Sequence, residues 1–225
     1  VQEGKVSVKQ IENSVRHVLW MKYATGVMDD PYRYCSQERE DTVILKKEYL
    51  ELAREAACKS MVLLKNENQL LPLSEKLKSV AIIGPLADSK KDMPGSWSKS
   101  CDPNDMQTFL EAITERYGNK MKINYVKGCE VEGDERSGFA DALKAAAKSD
   151  VIVATMGEAK ELSGEASSRS NLSLPGVQEE LLKELKKLGK PIVLVLFNGR
   201  PLTIPWASGN MDAILEAWFP GNQAG

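Results

Sequence analysis

From Ser7 to about Tyr23 apolar residues recur at helical spacing, with Ile11, Val15, Val18 and Leu19 on one stripe, the mark of an amphipathic helix. Gly26 and Asp29-Asp30-Pro31 end it, as helix-breaking residues do. The next stretch, Asp30–Thr42, is polar with neither helical nor strand period and is expected as a linker. A second long helix is predicted from Leu45 to about Asn66, on the stripe Leu50, Ala53, Ala57, Met61 and Leu64.

A regular alternation follows. Apolar runs at Ser79–Ile83, Lys122–Val126, Val151–Thr155, Ile192–Phe197 and Ala213–Ala217 read as strands. Helical stretches at Asp105–Tyr117, Ser137–Lys148 and Val177–Leu188 separate the first four. Near-continuous Val/Ile/Leu strands are buried on both faces, which requires a parallel sheet covered by helices. The last crossover, Asn198 to Asn210, carries Pro201 and Pro205 and is expected to hold at most one helical turn. The predicted fold is α/β, a three-layer α/β/α sandwich with a mostly parallel sheet.

That architecture says where chemistry belongs, because open α/β sheets bind ligands outside the carboxyl ends of their strands. Three loops leave that edge: Gly84 to Cys101, Met156 to Pro175, and Asn198 onward. The first holds Trp97 in a Gly-Ser-Trp-Ser turn. An aromatic ring there serves either as a stacking platform for a sugar face or as a loop anchor. Gly84-Pro85 lacks the Gly-x-Gly-x-x-Gly fingerprint of a dinucleotide site.

The second loop carries Glu158, Glu161 and Glu165, with Arg169 close by. One of these carboxylates is a catalyst or all three are surface charge; the residues alone leave both open. Glu165 stands out because Gly164 and Ala166-Ser167-Ser168 give it little steric cover. Arg169, four residues on, is placed to pair with Glu165 or with another acid and so to tune it. A lone carboxylic acid suits protonation of a leaving-group oxygen, but glycoside hydrolysis needs a second carboxylate across the scissile bond.

Composition narrows the classes. At 225 residues the chain suggests one large domain, or one domain plus a fragment. A formal net charge of −2 provides no electrostatic reason to expect nucleic acid or an anionic membrane as partner. No apolar run approaches the roughly 20 residues of a membrane span, and no signal peptide is visible at Val1. Cys35, Cys58, Cys101 and Cys129 are too scattered for a zinc site and are expected to include at least two buried thiols. With His17 as the single histidine, a His-based triad lacks raw material; His17 is expected as a packed helix residue. Neither a metal nor a cofactor is expected.

Taken together, these segments resemble family 3 glycoside hydrolases, and among them the bacterial periplasmic β-glucosidases, over essentially the whole chain. The resemblance rests on Arg54-Glu-Ala, Ser60 to Asn66, Ile83-Gly-Pro-Leu-Ala-Asp88, Gly95-Ser-Trp-Ser98, Gly157-Glu158, Gly164-Glu-Ala-Ser-Ser-Arg169 and Asn198-Gly-Arg-Pro201, in that order. It implies a two-domain enzyme in which an N-terminal TIM barrel carries an Asp nucleophile and the α/β sandwich supplies the acid/base. By this resemblance Glu165 is the catalytic acid/base, and Trp97 and Arg169 belong with substrate binding. Residues 1–29 resemble the last barrel helix, 30–44 the interdomain linker, and 45–225 the sandwich domain.

The family's nucleophile motif, Ser-Asp followed by an aromatic, does not occur here. Ser149-Asp150 precedes a buried strand, where Asp150 suits a turn. The chain is therefore expected to be truncated at both ends and to lack turnover alone. The resemblance implies retaining hydrolysis of β-D-glucosides by the full-length protein, in the periplasm or outside the cell. Its partners are a β-linked oligosaccharide or aryl glycoside and the barrel domain, with no nucleic acid and no membrane. A non-catalytic carbohydrate-binding domain and a flavodoxin-like nucleotide binder remain as alternatives.

Overall fold

The computed structural model describes residues 1–98 and 101–225. Two compact units divide the chain, Val1–Lys47 and Glu48–Gly225.

In the first unit, helix α1 spans Val8–Ala24. It opens with a reciprocal cap: Ser7 Oγ accepts from the Gln10 amide at 3.2 Å, and Gln10 Oε1 accepts from the Ser7 amide at 2.9 Å. Every residue of α1 is exposed, His17 included, so the expectation of a packed histidine fails. The polar stretch after Pro31 holds a short helix that its sequence pattern did not announce. Gln37–Val43 forms α2, capped by Ser36 Oγ accepting from the Arg39 amide. A seven-residue helix without a buried stripe has no periodicity to betray it, and the cap alone marks its start.

The second unit holds the sheet. Helix α3, Lys47–Ser60, is shorter than anticipated, and the end of the supposed long helix is a strand, β1, Val62–Asn66. The remaining strands are β2 (Ser79–Ile83), β3 (Lys122–Val126), β4 (Val151–Gly157), β5 (Ile192–Phe197) and β6 (Ala213–Glu216). The helices between them are α4 (Phe109–Tyr117), α5 (Phe139–Ala147), α6 (Gln178–Lys186) and α7 (Pro205–Asn210). Strand order is β1-β6-β5-β4-β2-β3, with β1 antiparallel to β6 and every other pair parallel. Met61-Val-Leu-Leu fits a helical stripe or a strand equally well. The ladder offered by β6 decides for the strand, a tertiary override of local pattern.

Burial explains why the middle strands read as unbroken apolar runs. All seven residues of β4 and all six of β5 are buried. Ile152, Ala154 and Met156 of β4 pack on one face with Ala142, Ala146, Leu181, Leu182 and Leu185 from α5 and α6. Val151 and Val153 turn to the other face, against Leu86, Met93 and the α4 residues Phe109, Leu110 and Ile113. The period-two alternation thus serves two apolar layers at once.

The five parallel strands follow the 2-1-3-4-5 order of flavodoxin-like sheets. Its winding reverses between β2 and β4, which places the ligand crevice beyond the carboxyl ends of those two strands.

Candidate active site

The loop leaving β4 is closed at its base. Gln178, fully buried at the start of α6, accepts from the Gly157 amide at 2.8 Å and donates to the carbonyls of Gly157 at 2.8 Å and Pro175 at 3.2 Å. One amide side chain therefore pins both ends of the loop to the sheet, and nothing in the sequence pattern distinguished Gln178 from an ordinary helix residue. Gly157 is required by the same packing. Its φ is +142°, and a Cβ there would sit 1.8 Å from the Phe197 carbonyl oxygen.

At its far end the loop presents Glu165, which is exposed. Gly164 before it has φ +101° and Ala166 after it φ +61°. These left-handed conformations turn the chain sharply and project the intervening carboxylate. Across a cavity of about 310 Å³ lies the Gly95–Ser98 turn, and Glu165, Trp97, Ser163 and Lys160 all line the space between. Ser96 ties the walls together: its Oγ donates to the Lys160 carbonyl at 2.6 Å and lies 2.9 Å from Ser163 Oγ. Trp97 is 70% exposed, so its indole adds little to the packing of the loop. Glu165 and the tryptophan turn share one sheet edge, above the β2/β4 switch point. The loop runs on to Lys99 and Ser100, which lie outside the described residues.

The other two glutamates part company. Glu161 is exposed on the same cavity wall. Glu158 is fully buried. Its Oε1 receives an ion pair from Arg169 Nη1 and lies 3.4 Å from Arg200 Nε, while Oε2 has no protein hydrogen-bond partner. Buried charges persist only when paired, and this is where Arg169 is engaged. Its second terminal nitrogen donates to the Ser173 carbonyl at 3.0 Å, so its guanidinium meets internal partners rather than Glu165. Arg200 Nη2 donates to the carbonyls of Leu162 and Ser167, the latter at 2.6 Å.

A further acid was not foreseen. Glu216 ends β6, 5% exposed, and accepts from Trp218 N at 3.1 Å and Asn198 Nδ2 at 3.2 Å. Burial, with the nearby Glu158 charge adding to it, pushes its carboxyl up to about 7. The available signal was a lone Glu at the carboxyl end of an apolar strand, where a polar residue has to find a buried partner.

Asp150 lies at the opposite edge. Its carboxylate accepts from the amides of Lys78 and Ser79, both at 2.9 Å, and these bonds hold it below the usual carboxylate range. It is a structural tie for the start of β2. Of the cysteines, Cys129 alone is buried and Cys35, Cys58 and Cys101 are exposed, fewer buried thiols than anticipated. Among the described residues no group of three or more His, Cys, Asp or Glu side chains is arranged to hold a metal ion. Nor is any helix among them long and apolar enough to cross a membrane.

The structure is thus an α/β sandwich whose switch-point crevice sets an exposed glutamate opposite an exposed tryptophan. Residues 61–225 match the model of the glycosyl hydrolase family 3 C-terminal domain, and the chain belongs to that family. It is 39% identical to a periplasmic β-glucosidase of Salmonella typhimurium, covering 100% of this chain and 32% of that protein. It is 37% identical to a β-xylosidase of Formosa agariphila, covering 97% and 31%. Among solved structures, the β-glucosidase of Listeria innocua in complex with isofagomine superposes with a TM-score of 0.87 at 35% identity, over 100% of this chain and 31% of that one. The chain thus spans about a third of the length of these relatives.

Proposed function

We propose that this chain is the acid/base-bearing part of a retaining β-glycosidase, with Glu165 as the catalytic residue. The observation that carries the reading is the placement of Glu165: an exposed carboxyl on a loop pinned at its base, facing Trp97 across the switch-point crevice. Glu165 protonates the glycosidic oxygen as the aglycone departs, while a carboxylate from outside these 225 residues attacks the anomeric carbon. The resulting glycosyl-enzyme is then cleaved by a water that Glu165 deprotonates. Retaining chemistry sets the two carboxyl groups about 5–5.5 Å apart, so the partner carboxylate must face this cavity directly. Trp97 stacks on the sugar or aryl group in the leaving-group position. Arg169 supports the site through Glu158.

In this proposal residues 1–29 close a barrel domain, 30–44 link it, and 45–225 form the sandwich that completes the active site. The break between compact units after Lys47 supports a boundary near there. The substrates are β-D-glucosides, as the names of the Salmonella and Listeria relatives suggest, and the first of these names supports a periplasmic location.

The test is Glu165→Ala in the longer protein carrying this chain. General acid catalysis is worth about 10²–10⁴-fold, and that loss is expected in kcat/KM for phenyl and alkyl β-glucosides. Dinitrophenyl glucosides, whose leaving group needs no proton, should be nearly unaffected. An equal loss on both classes would refute the acid role, and no loss on either would favour a binding domain without catalytic function.

A further inference from the structure

Arg200 lies in the Asn198-Gly-Arg-Pro201 stretch after β5 and does not line the Glu165 cavity. Its Nη2 nevertheless donates to the main-chain carbonyls of Leu162 and Ser167, which bracket Glu165 by three residues before and two after. Beyond the single 3-10 turn Lys160–Leu162, no regular secondary structure holds this segment. Gly164 and Ala166 both occupy left-handed backbone regions, and for alanine that conformation costs about 1–2 kcal/mol. Ser167 closes the segment from within, its Oγ donating to the Glu161 carbonyl at 2.9 Å and its amide to the Gly164 carbonyl at 3.3 Å, and Arg200 adds two contacts from outside the loop.

Arg200 is itself fixed from behind. Its Nε lies 3.4 Å from Oε1 of the fully buried Glu158. Glu158 is held in turn by its amide, which donates to the Phe197 carbonyl at 2.8 Å, and by Arg169 through their ion pair. Gly199 lets this segment approach so closely, since a Cβ there would meet Ser163 Oγ at 2.2 Å. The sheet ends thus reach the tip of the loop through an unbroken chain of contacts: β4 and β5, Glu158, Arg200, then the two carbonyls beside Glu165.

We propose that Arg200 is a positioning residue for Glu165, with the buried Glu158 carboxylate as its anchor. The proposal rests on the acid/base reading above. A planar guanidinium can donate to two carbonyls while its Nε, which makes no hydrogen bond, stays at ion-pair distance from the carboxylate, whereas a lysine ammonium keeps the charge but loses the rigid fork. Without the fork, the 162–167 segment relaxes, and the Glu165 carboxyl moves away from the glycosidic oxygen.

The experiment compares Arg200→Gln, Arg200→Lys and Glu165→Ala in the longer protein, reading kcat/KM for phenyl and dinitrophenyl β-glucosides beside the melting temperature. This parameter reports glycosylation, where the proton is donated. Displacing a reacting group by about 1 Å costs about 100-fold, and that loss is expected for Arg200→Gln on the phenyl glucoside, with the dinitrophenyl glucoside little changed. Arg200→Lys should show the same selective loss in weaker form at a near wild-type melting temperature, and it carries the test should the glutamine variant fail to fold. Equal losses on both substrates, or none on either, would overturn the positioning role while leaving a selective Glu165→Ala effect intact. If Glu165→Ala itself proves unselective, the acid/base reading falls and this proposal with it.

Discussion

Asn198 and Glu216 meet at 3.2 Å, amide to carboxylate, at the carboxyl ends of the adjacent strands β5 and β6. Both side chains are buried, and a second acid, Glu158, lies near enough to raise the Glu216 carboxyl further. The folded protein therefore holds a proton on Glu216 up to about 7, whereas the ordinary value is 4.5. Between those values the folded state binds more protons than the unfolded chain, so stability falls as pH rises. The contribution is present in full below 4.5 and is lost as pH passes about 7. The fall amounts to on the order of 3 kcal/mol at most. Urea unfolding from pH 4.5 to 8 should reveal it, and Glu216→Gln should flatten the decline. An identical decline in the variant would assign the effect to other groups.

Thiol reactivity should separate the cysteines. Cys129 is buried, and burial, with Glu130 adding to it, pushes its thiol up to about 11. The thiolate is the reactive form, so Cys129 should resist alkylation at pH 8 while Cys35, Cys58 and Cys101 react. Mass spectrometry of the native 225-residue chain should find three modified cysteines, and four after denaturation. Rapid labelling of Cys129 in the folded chain would contradict its placement.

Gly157→Ala should unfold or severely weaken the domain. The added methyl would meet the Phe197 carbonyl at 1.8 Å, and backbone on a central strand cannot yield as a flexible side chain can. A loss of about 3 kcal/mol or more is expected, read as a lower denaturation midpoint. A shift within about 0.5 kcal/mol of wild type, the range of ordinary surface changes, would mean that β4 and β5 do not approach as described.

Trp97→Ala should do the reverse. With 70% of its surface exposed, the indole contributes little packing, so the melting temperature should hold. In the longer protein, losing its stacking surface should raise KM for aryl glucosides, by about 5-fold if stacking is worth about 1 kcal/mol. A large drop in melting temperature with unchanged KM would make Trp97 an anchor instead.

If the attacking carboxylate comes from outside these residues, as proposed, the 225-residue chain by itself should not hydrolyse aryl β-glucosides. Turnover by the purified chain, abolished in Glu165→Gln, would show that the second carboxylate lies within it.

The amino-acid order alone determined the five parallel strands and the edge on which a ligand site is expected. Unbroken apolar runs can be satisfied only by burial on both faces, and helices must cover them. From that follow parallel strands, and from parallel strands a ligand edge carrying Glu165 and Trp97. These are local signals, each contained in a dozen residues. Where two local readings were equally good, tertiary contact decided. Val62 to Asn66 became an edge strand because β6 offered it hydrogen bonds. The polar groups behind the site were settled in the same way. Glu158, Glu161 and Glu165 look alike in one loop, yet one is buried against two arginines and the others face solvent. Arg169 and Arg200 find Glu158, and Gln178 ties off the loop, across separations that no periodicity records. A charge finds its partner through the three-dimensional path of the chain, and that path exists only once the sheet has closed.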